Sequence, residues 1–304
     1  MQPIQARLEA VAEDLVFLAP DNYPLSARIW HTTAARPKVA VLINAGAGIS
    51  YRYYDRFAEY IASNGATVMI YDYRGIGKSR PRSLRGFSAS VEDWGSKDCT
   101  AAIALLHKRD GEIPVVVIGH SVGGFLTGFV RNGQLINRLI LVAAHTGYWR
   151  DYSKARRQRM YALWHVLMPA LTRVFGFFPG RLLGVSEDIP AGAALEWANR
   201  RHPEFWWNVR TASGELDADR IEDAIARFRA IRAPTFAIRF SDDPFATLEG
   251  TQRILGLFFN CPTELIVLGP EDTNNQPIGH FGFFRATFRE TLWPMVLSRI
   301  VEAI

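Results

Sequence analysis

Along most of the chain, short apolar runs typical of strands alternate with segments whose apolar residues have helical spacing. Four short runs rich in β-branched side chains have the length and composition of buried parallel strands. They are residues 39–43, 67–71, 113–118 and 138–143. Three segments with apolar residues at helical spacing follow or precede these runs, at residues 56–64, 98–108 and 124–130. Strands and helices that alternate in this order predict an α/β protein with a mostly parallel sheet.

The two ends of the chain add further strands to this pattern. Residues 15–18 and 25–30 flank a turn-rich linker and predict an opening antiparallel hairpin. Towards the other end, the pattern predicts a strand, a helix, a strand and a closing helix. These occupy residues 234–240, 247–258, 263–268 and 285–304. Together with the four runs above, this predicts an eight-stranded, mostly parallel sheet with helices on both faces.

The alternation breaks between residues 147 and 229. This segment has no strand pattern, is rich in Trp, Tyr, Phe and Arg, and contains short helical pieces separated by prolines. We interpret it as an inserted helical cap, which divides the chain into a first core part (residues 1–146), the cap (147–230) and a second core part (231–304). Because it leaves the sheet after one parallel strand and rejoins it before another, we expect it above the carboxyl ends of the strands.

Charge is unevenly distributed along the chain. The net charge is +5, and residues 150–181 alone contain seven Lys or Arg residues against one acid, Asp151. A solvated helix face is one interpretation, and attraction of an anionic substrate or a membrane surface is the other. No nucleic-acid motif is present, and no apolar stretch reaches membrane-spanning length without interruption. The prediction is therefore a protein without nucleic-acid partners or a transmembrane segment, with possible membrane contact through the basic cap.

Composition places the chain among ordinary globular enzymes. Of its 304 residues 48% are hydrophobic and 21% are charged, which argues against disorder. Residues 1–9 lack the basic and apolar regions of a secretory signal, so a cytoplasmic location is expected. Two cysteines, Cys99 and Cys261, are too few for a metal cluster or a disulfide framework, and we expect both to be reduced.

A G-x-S-x-G motif occupies the point where a predicted strand meets a predicted helix. It consists of Gly119-His120-Ser121-Val122-Gly123, between the strand at 113–118 and the helix at 124–130. Glycines two residues either side of Ser121 remove Cβ atoms that would clash in a sharp turn, so that the serine Oγ projects from the sheet. We predict that Ser121 is a nucleophile and that the Val122 N–H faces a developing oxyanion.

A serine nucleophile needs a base, and the base needs an acid that fixes its tautomer. Asp242 and Asp243 follow the predicted strand that ends at Phe240, and His280 lies beyond the last predicted strand. The order Ser, Asp, His is the order that the nucleophile-elbow hydrolases use. We predict His280 as the base, with either aspartate available as the acid.

Three other histidines compete with His280 for the role of base: His120, His145 and His165. His120 is adjacent to the nucleophile, but its side chain is expected to face away from the serine Oγ. His145 is expected to line the entrance beneath the cap. The position after the last strand favours His280 over all three.

Four motifs together resemble those of the α/β-hydrolase superfamily. They are residues 71–79 (Y-D-Y-R-G-I-G-K-S, similar to D-x-R-G-x-G-x-S), 119–124 (G-H-S-V-G-G), 242–246 (D-D-P-F-A) and 279–284 (G-H-F-G-F-F). Within that superfamily the chain resembles the branch of serine aminopeptidases and monoglyceride lipases. It is most similar to a bacterial group of predicted esterase-like α/β-hydrolases. The resemblance implies the α/β-hydrolase fold for the eight-stranded sheet, with an inserted helical cap.

The resemblance also implies roles for individual residues. The acid of this family directly precedes a proline, which favours Asp243 over Asp242. The family has His-Gly-x after its first parallel strand, where this chain has Asn44-Ala45. The second oxyanion donor is therefore assigned to Gly46, with Ala47 as the open alternative. Asp72, Arg74 and Ser79 are expected to brace a loop rather than to catalyse.

These residues predict cleavage of a carboxylic ester through an acyl-enzyme, with no metal or organic cofactor. Peptidases, thioesterases and acyltransferases use the same triad and stay open as alternatives, as does a ligand-binding protein with little turnover. The cap is rich in aromatic residues: Trp149, Trp164, Phe175, Phe177, Phe178, Trp197, Trp206 and Trp207. They suggest an apolar pocket roof for a small acyl substrate, with His145, Trp164 and Phe178 as its predicted contacts. The alternative is that most of them bury the cap on itself.

Overall fold

One eight-stranded sheet organises the computed structural model, which describes residues 9–33, 36–109, 111, 113–204, 209, 211 and 213–304. The prediction about a secretory signal concerns residues 1–9, of which 1–8 lie outside these ranges. The strands are β1 (Ala10–Leu18), β2 (Pro24–Thr32), β3 (Ala40–Asn44), β4 (Thr67–Tyr71), β5 (Val115–His120), β6 (Ile136–Val142), β7 (Phe177–Phe178), β8 (Ile189–Pro190), β9 (Thr235–Phe240) and β10 (Thr263–Leu268). Of these, β7 and β8 form a separate small ladder.

Helices connect the strands and supply the layers around the sheet. They are α1 (Asp55–Ala62), α2 (Val91–Asp93), α3 (Thr100–Arg109), α4 (Val122–Thr127), α5 (Lys154–Ala162), α6 (Met168–Phe175), α7 (Ala191–Ala198), α8 (Ala218–Ala230), α9 (Leu248–Leu255) and α10 (Trp293–Val301). Two π-helical segments, Trp94–Cys99 and Leu163–Leu167, join α2 to α3 and α5 to α6. Within the described residues, no helix is both long and apolar enough to cross a membrane.

The strand order is β1-β2-β4-β3-β5-β6-β9-β10. Only β1 with β2 and β2 with β4 pair antiparallel, and the other neighbours in the sheet are parallel. β3, β4 and β5 are buried along their whole length, as expected for apolar strands covered on both faces. The predicted eight-stranded, mostly parallel sheet is confirmed.

The chain changes direction within the sheet at β3. It passes from β3 to β4 on one side, then crosses back to β5 on the other side. Right-handed crossovers therefore place α1 and α3 on opposite faces. Such a reversal opens a crevice at the carboxyl ends of the strands, which is where open α/β sheets bind their ligands. The loop after β3 and the G-x-S-x-G turn after β5 meet at this crevice.

The closing helix is shorter than predicted. The sequence pattern extends over residues 285–304, whereas α10 covers Trp293–Val301 and follows two short 3₁₀ turns, Gly282–Phe284 and Ala286–Phe288. Pro294 lies in the first turn of α10. Because proline lacks an N–H and fits only the first turn of a helix, an unbroken helix through this position is disfavoured.

The loop at residues 71–79 is braced by its own polar side chains, as predicted. The Asp72 carboxylate accepts hydrogen bonds from the Tyr51 and Lys78 N–H groups at 2.8 and 2.7 Å. The buried Arg74 guanidinium bonds Asp98 at 2.7 Å and Asp21 at 2.6 Å. Ser79 Oγ donates to the Asp72 carbonyl at 2.7 Å. These bonds fix the turn next to β4 without entering the crevice.

Residues 147–204, here called the helical insert, contain α5, α6 and α7. The prediction of no strand in this segment is wrong at four residues, because β7 and β8 pair antiparallel, Phe177 with Pro190 and Phe178 with Ile189. Gly176 ends α6 with a φ of +79°, a conformation that glycine adopts without steric cost, and the chain turns back there. Two residues per strand are too short to be recognised by alternation.

α8 lies in the last part of the predicted cap but packs against helices of the core. The Phe228 ring on α8 lies 6.1 Å from Phe125, 5.3 Å from Phe129 and 5.4 Å from Phe258. Phe125 belongs to α4, the helix that follows the G-x-S-x-G turn. α8 therefore supports α4 from the side.

Candidate active site

Ser121 occupies a strained turn between β5 and α4. Its backbone angles are φ +53° and ψ −121°, a region that residues with a side chain rarely adopt. A Cβ atom on Gly119 would come within 2.4 Å of the Gly124 Cα, and one on Gly123 within 2.2 Å of the Asn44 carbonyl oxygen. The absence of both side chains lets the strand, the helix and the loop after β3 approach closely around Ser121.

A hydrogen-bonded chain links Ser121, His280 and Asp243. His280 Nε2 lies 2.9 Å from Ser121 Oγ, and His280 Nδ1 lies 2.7 Å from Asp243 Oδ2. All three residues are buried. Because a carboxylate only accepts hydrogen bonds, Nδ1 of the neutral ring carries the hydrogen and Nε2 is free to accept the serine hydroxyl proton. The structure thus brings together the three predicted residues in the predicted order.

The environment of Asp243 favours its ionised form. Burial would raise the pKa of this carboxyl, but the hydrogen bond and charge interaction with His280 and the bond from the Phe245 N–H hold it below its ordinary value. Oδ1 accepts from the Phe245 N–H at 2.7 Å and from the Ala246 N–H at 3.2 Å. With both oxygens engaged, the side chain has one orientation, and that orientation faces His280.

Asp242 has a different position from its neighbour. Its two oxygens accept hydrogen bonds from the N–H groups of Ile278 at 2.8 Å and Gly279 at 3.0 Å. These residues directly precede His280 in the chain. Asp242 therefore holds the backbone of the histidine loop, while Asp243 contacts the histidine ring.

His120 points away from Ser121, as expected, and takes part in a relay that joins two loops. Its Nε2 lies 2.9 Å from the His280 carbonyl oxygen, and its Nδ1 lies 2.8 Å from the Tyr54 hydroxyl. The Gly46 N–H donates to the same hydroxyl at 2.9 Å. A carbonyl only accepts, so Nε2 carries the hydrogen, Nδ1 accepts from Tyr54, and Tyr54 accepts from Gly46. Every donor in this relay has one acceptor.

Gly46 was the predicted second oxyanion donor, and its geometry requires a correction. Its N–H is already bonded to Tyr54 and is not free for a substrate oxygen. Ala47, the open alternative, is exposed to the same pocket as Ser121, and its N–H has no hydrogen-bond partner among the described residues. The Val122 N–H lies in the first turn of α4, where a helix leaves its N–H groups without intrahelical partners. Ala47 and Val122 are therefore the two available donors.

Asn44 lies at the end of β3, at the position where the sequence resemblance implies a histidine. Its buried side chain donates to Thr127 Oγ1 at 2.8 Å and accepts from the Tyr71 hydroxyl at 2.8 Å. Thr127 ends α4, and Tyr71 ends β4. Asn44 thus ties the loop after β3 to both of its neighbours, which preserves the turn despite the departure from the family pattern.

His145 lines the pocket beside His280, with 5.7 Å between the ring centroids. Its Nδ1 accepts from the Gly147 N–H at 3.0 Å, so the neutral ring carries its hydrogen on Nε2. Burial lowers the pKa of His145 to about 3, and burial lowers the pKa of His120 to about 3 as well. The remaining candidate, His165, donates from Nδ1 to the Ala198 carbonyl at 2.6 Å and ties the π-helical segment Leu163–Leu167 to α7 within the insert.

A pocket of about 400 Å³ opens above Ser121 and His280. Trp164 and Phe178, both predicted as contacts, line it, and Trp197 does so too. Trp206 and Trp207 lie outside the described residues. Further apolar lining residues were not predicted: Val91, Trp94, Met168, Ile189, Phe245 and Phe281. Of these, only Phe245 and Phe281 have a signal in the sequence, because they flank the acid and histidine motifs.

One known protein family matches most of the chain. Residues 35–256 match the model of the family described as serine aminopeptidase, S33. No curated protein sequence matches the chain.

Solved structures of similar fold include several hydrolases. An esterase from Pyrococcus furiosus is 17% identical, with a TM-score of 0.59, over 96% of this chain and 93% of that one. An esterase from Exiguobacterium antarcticum is 16% identical, with a TM-score of 0.58, over 95% and 100%. Dipeptidyl peptidase 4 from Porphyromonas gingivalis is 16% identical, with a TM-score of 0.56, over 97% of this chain but 36% of its own. At these identities the likeness shows the fold alone.

The relay through Tyr54 predicts a combined loss of stability and turnover in Tyr54→Phe. The Gly46 N–H and His120 Nδ1 would both lose their buried partner, which should lower the free energy of unfolding by about 1–3 kcal/mol. Looser loops around Ser121 should lower kcat for a soluble p-nitrophenyl ester by roughly tenfold or more. Tyr23→Phe is the control, because its hydroxyl donates to the Ser79 carbonyl at 2.6 Å, outside the relay. An unchanged kcat in Tyr54→Phe, or an equal fall in the control, would count against the relay.

Two of the buried histidines, His120 and His145, predict that the fold loses stability in acid. Their pKa is about 3 in the folded protein and 6.5 in the unfolded chain, so only the unfolded chain binds protons there between these values. The stability that the neutral, buried form of each histidine confers is fully present above pH 6.5. Below that pH the free energy of unfolding falls by up to about 1.4 kcal/mol per pH unit for each histidine. Urea unfolding of His145→Gln should show a shallower decline between pH 6 and 4 and a parallel profile above pH 7. Identical slopes in acid would contradict this.

Proposed function

Because the chain belongs to the serine aminopeptidase S33 family of the α/β-hydrolase superfamily, we propose that it is a serine hydrolase that cleaves carboxylic esters. The observation that carries the proposal is the hydrogen-bonded chain from Ser121 Oγ through His280 to Asp243, with distances of 2.9 and 2.7 Å. Near neutral pH a serine hydroxyl is a poor nucleophile without such a base. The strained turn at Ser121 supports the same role, because strain of this kind persists where function requires it.

In the proposed reaction, Ser121 Oγ attacks the ester carbonyl carbon while His280 Nε2 takes the hydroxyl proton. The N–H groups of Ala47 and Val122 donate to the oxygen of the tetrahedral intermediate. His280 then gives its proton to the leaving alkoxide, and an alcohol departs from the acyl-enzyme. Water attacks the acyl carbon with His280 again as the base, which releases a carboxylic acid and restores Ser121. Asp243 holds the ring and stabilises its charged form throughout.

The pocket favours an apolar acyl ester over a peptide with a free amino terminus. Among its described lining residues there is no Asp or Glu, so no carboxylate there would pair with an ammonium group. Burying a charge without a partner is costly, whereas an acyl chain gains about 0.8 kcal/mol for each CH₂ that it buries. Esterases with the same fold in Pyrococcus furiosus and Exiguobacterium antarcticum agree with this choice.

We propose further that the helical insert is a cap that selects the acyl group. Leu163, Trp164, Met168 and Phe178 of the insert line the pocket that contains Ser121. The core elements supply the reacting groups, and the insert supplies the opposite wall. Substrate selection and chemistry would then reside in different parts of the chain.

The assignment of the acid is tested by two neighbouring variants. Asp243→Asn should lower kcat by roughly 10³-fold or more, because the amide no longer fixes the tautomer of His280. Asp242→Asn is the matched control. It keeps one carbonyl oxygen for the histidine loop and should lower kcat far less. Steady-state hydrolysis of p-nitrophenyl butyrate measures both, and the reverse ranking would transfer the role to Asp242.

The role of the insert is tested by substrates of increasing chain length. For the parent protein, kcat/KM should rise by a factor of about 3–4 for each added methylene until the pocket is full. Trp164→Ala and Phe178→Ala should flatten or shift this profile. Phe175→Ala removes a half-buried aromatic ring of the insert that does not line the pocket, and should leave the profile unchanged. A flat profile in the parent, or three identical variant profiles, would place specificity in the core loops.

A further inference from the structure

Large apolar side chains are exposed on the outer surface of the helical insert. Val174 is 73% exposed, Leu182 72% and Val185 67%. The full set, here called the outer face, is Val166, Leu167, Val174, Leu182, Leu183 and Val185. Single exposed apolar residues are common on protein surfaces, but six within 20 residues of one segment indicate a contact with something other than water.

The outer face comes from three consecutive elements of the insert: the π-helical segment, α6 and the loop between β7 and β8. Val166 and Leu167 belong to the π-helical segment whose Leu163 and Trp164 line the pocket, and Val185 lines it from the loop between β7 and β8. That loop is fixed to the core, because the Glu187 N–H donates to the Gly48 carbonyl at 2.7 Å. Val185 thus places part of the outer face at the pocket.

The same segment of the chain carries an excess of positive charge. Residues 152–186 contain six Lys or Arg residues and no Asp or Glu. Arg181 pairs with Glu187. Four others are exposed and form no ion pair with any residue that the structure describes: Lys154, Arg156, Arg159 and Arg173. Exposed apolar residues together with free cations in one segment are typical of surfaces that lie on anionic membranes.

The charge distinguishes between the possible occupants of this surface. A second copy of the chain packed face to face would bring the same cations together without acids to balance them, which disfavours a symmetric dimer. An anionic lipid surface complements the cations and accepts the apolar side chains between its headgroups. Charge complementarity therefore selects lipid over self-association.

We propose that the outer face docks on membranes that contain anionic lipids, with the pocket opening towards the bilayer. Val185 and Phe281 are both exposed and line the pocket, so an apolar ester could pass from the lipid to Ser121 with little exposure to water. The docking surface consists of the insert alone. The docking proposal therefore does not depend on the reaction proposed above.

Cosedimentation of the full chain with vesicles tests this inference. Binding to phosphatidylcholine vesicles with about 30% phosphatidylserine should be strong at low salt and should weaken as salt screens the charges. Vesicles of phosphatidylcholine alone should bind weakly. Arg156→Glu/Arg159→Glu should lower the affinity for anionic vesicles by roughly tenfold or more. Leu182→Ser should lower it several-fold through lost apolar contact.

The matched control is Lys108→Glu/Arg131→Glu, which makes the same change in net charge. Lys108 near the end of α3 and Arg131 after α4 are exposed and precede β5 and β6, at the opposite end of the strands from the pocket. This variant should keep most of the binding, and all variants should hydrolyse a short soluble ester at the parent rate. Lys154→Glu/Arg173→Glu provides a second test if the first double variant does not fold. Equal binding to neutral and anionic vesicles, equal losses in the control, or a dimer in solution that Leu182→Ser dissociates would overturn the proposal.

Discussion

The conformation of one residue, Ser121, is the constraint on which the site depends. A φ of +53° is unfavourable for serine, and it persists because the surrounding backbone leaves no alternative. Gly119 and Gly123 pack so closely against the start of α4 and the loop after β3 that a methyl group on either would collide with backbone atoms, and one on Gly124 would collide with the Ala144 side chain. If this packing relaxed, Ser121 Oγ would move away from His280, and the Val122 N–H would no longer face the pocket next to Ser121 Oγ. The Ser121 hydroxyl and the Val122 N–H are therefore positioned by one turn.

The other site loops are connected to that turn by buried polar groups. Tyr54 and His120 join the loop after β3 to the backbone of His280, and Asp242 holds the residues just before it. Buried hydrogen bonds of this kind contribute modestly when made and cost more when one partner is lost. The relay therefore makes the relative positions of the loops sensitive to single side chains that never touch a substrate.

Features set by local sequence could be predicted, and features set by tertiary packing could not. The strands have strong apolar signals, and Ser121, Asp243 and His280 follow motifs in a diagnostic order, so the structure has them where they were expected. The prediction of Gly46 as the second oxyanion donor could not take into account that its N–H donates to Tyr54, a residue eight positions away that also bonds His120. The ladder of β7 and β8 and the start of α10 at Trp293 depend on single Gly and Pro positions within segments whose sequence pattern is otherwise helical.

The central claim is that the strained turn makes Ser121 the nucleophile of an acyl-transfer reaction. Its most direct test is to react the full chain with a fluorophosphonate, measure the mass of the intact protein and map the modified peptide. We expect a single adduct, located on Ser121, and no adduct in Ser121→Ala, whose ester hydrolysis should also be lost. An adduct on another residue, or ester hydrolysis that survives in Ser121→Ala, would contradict the claim.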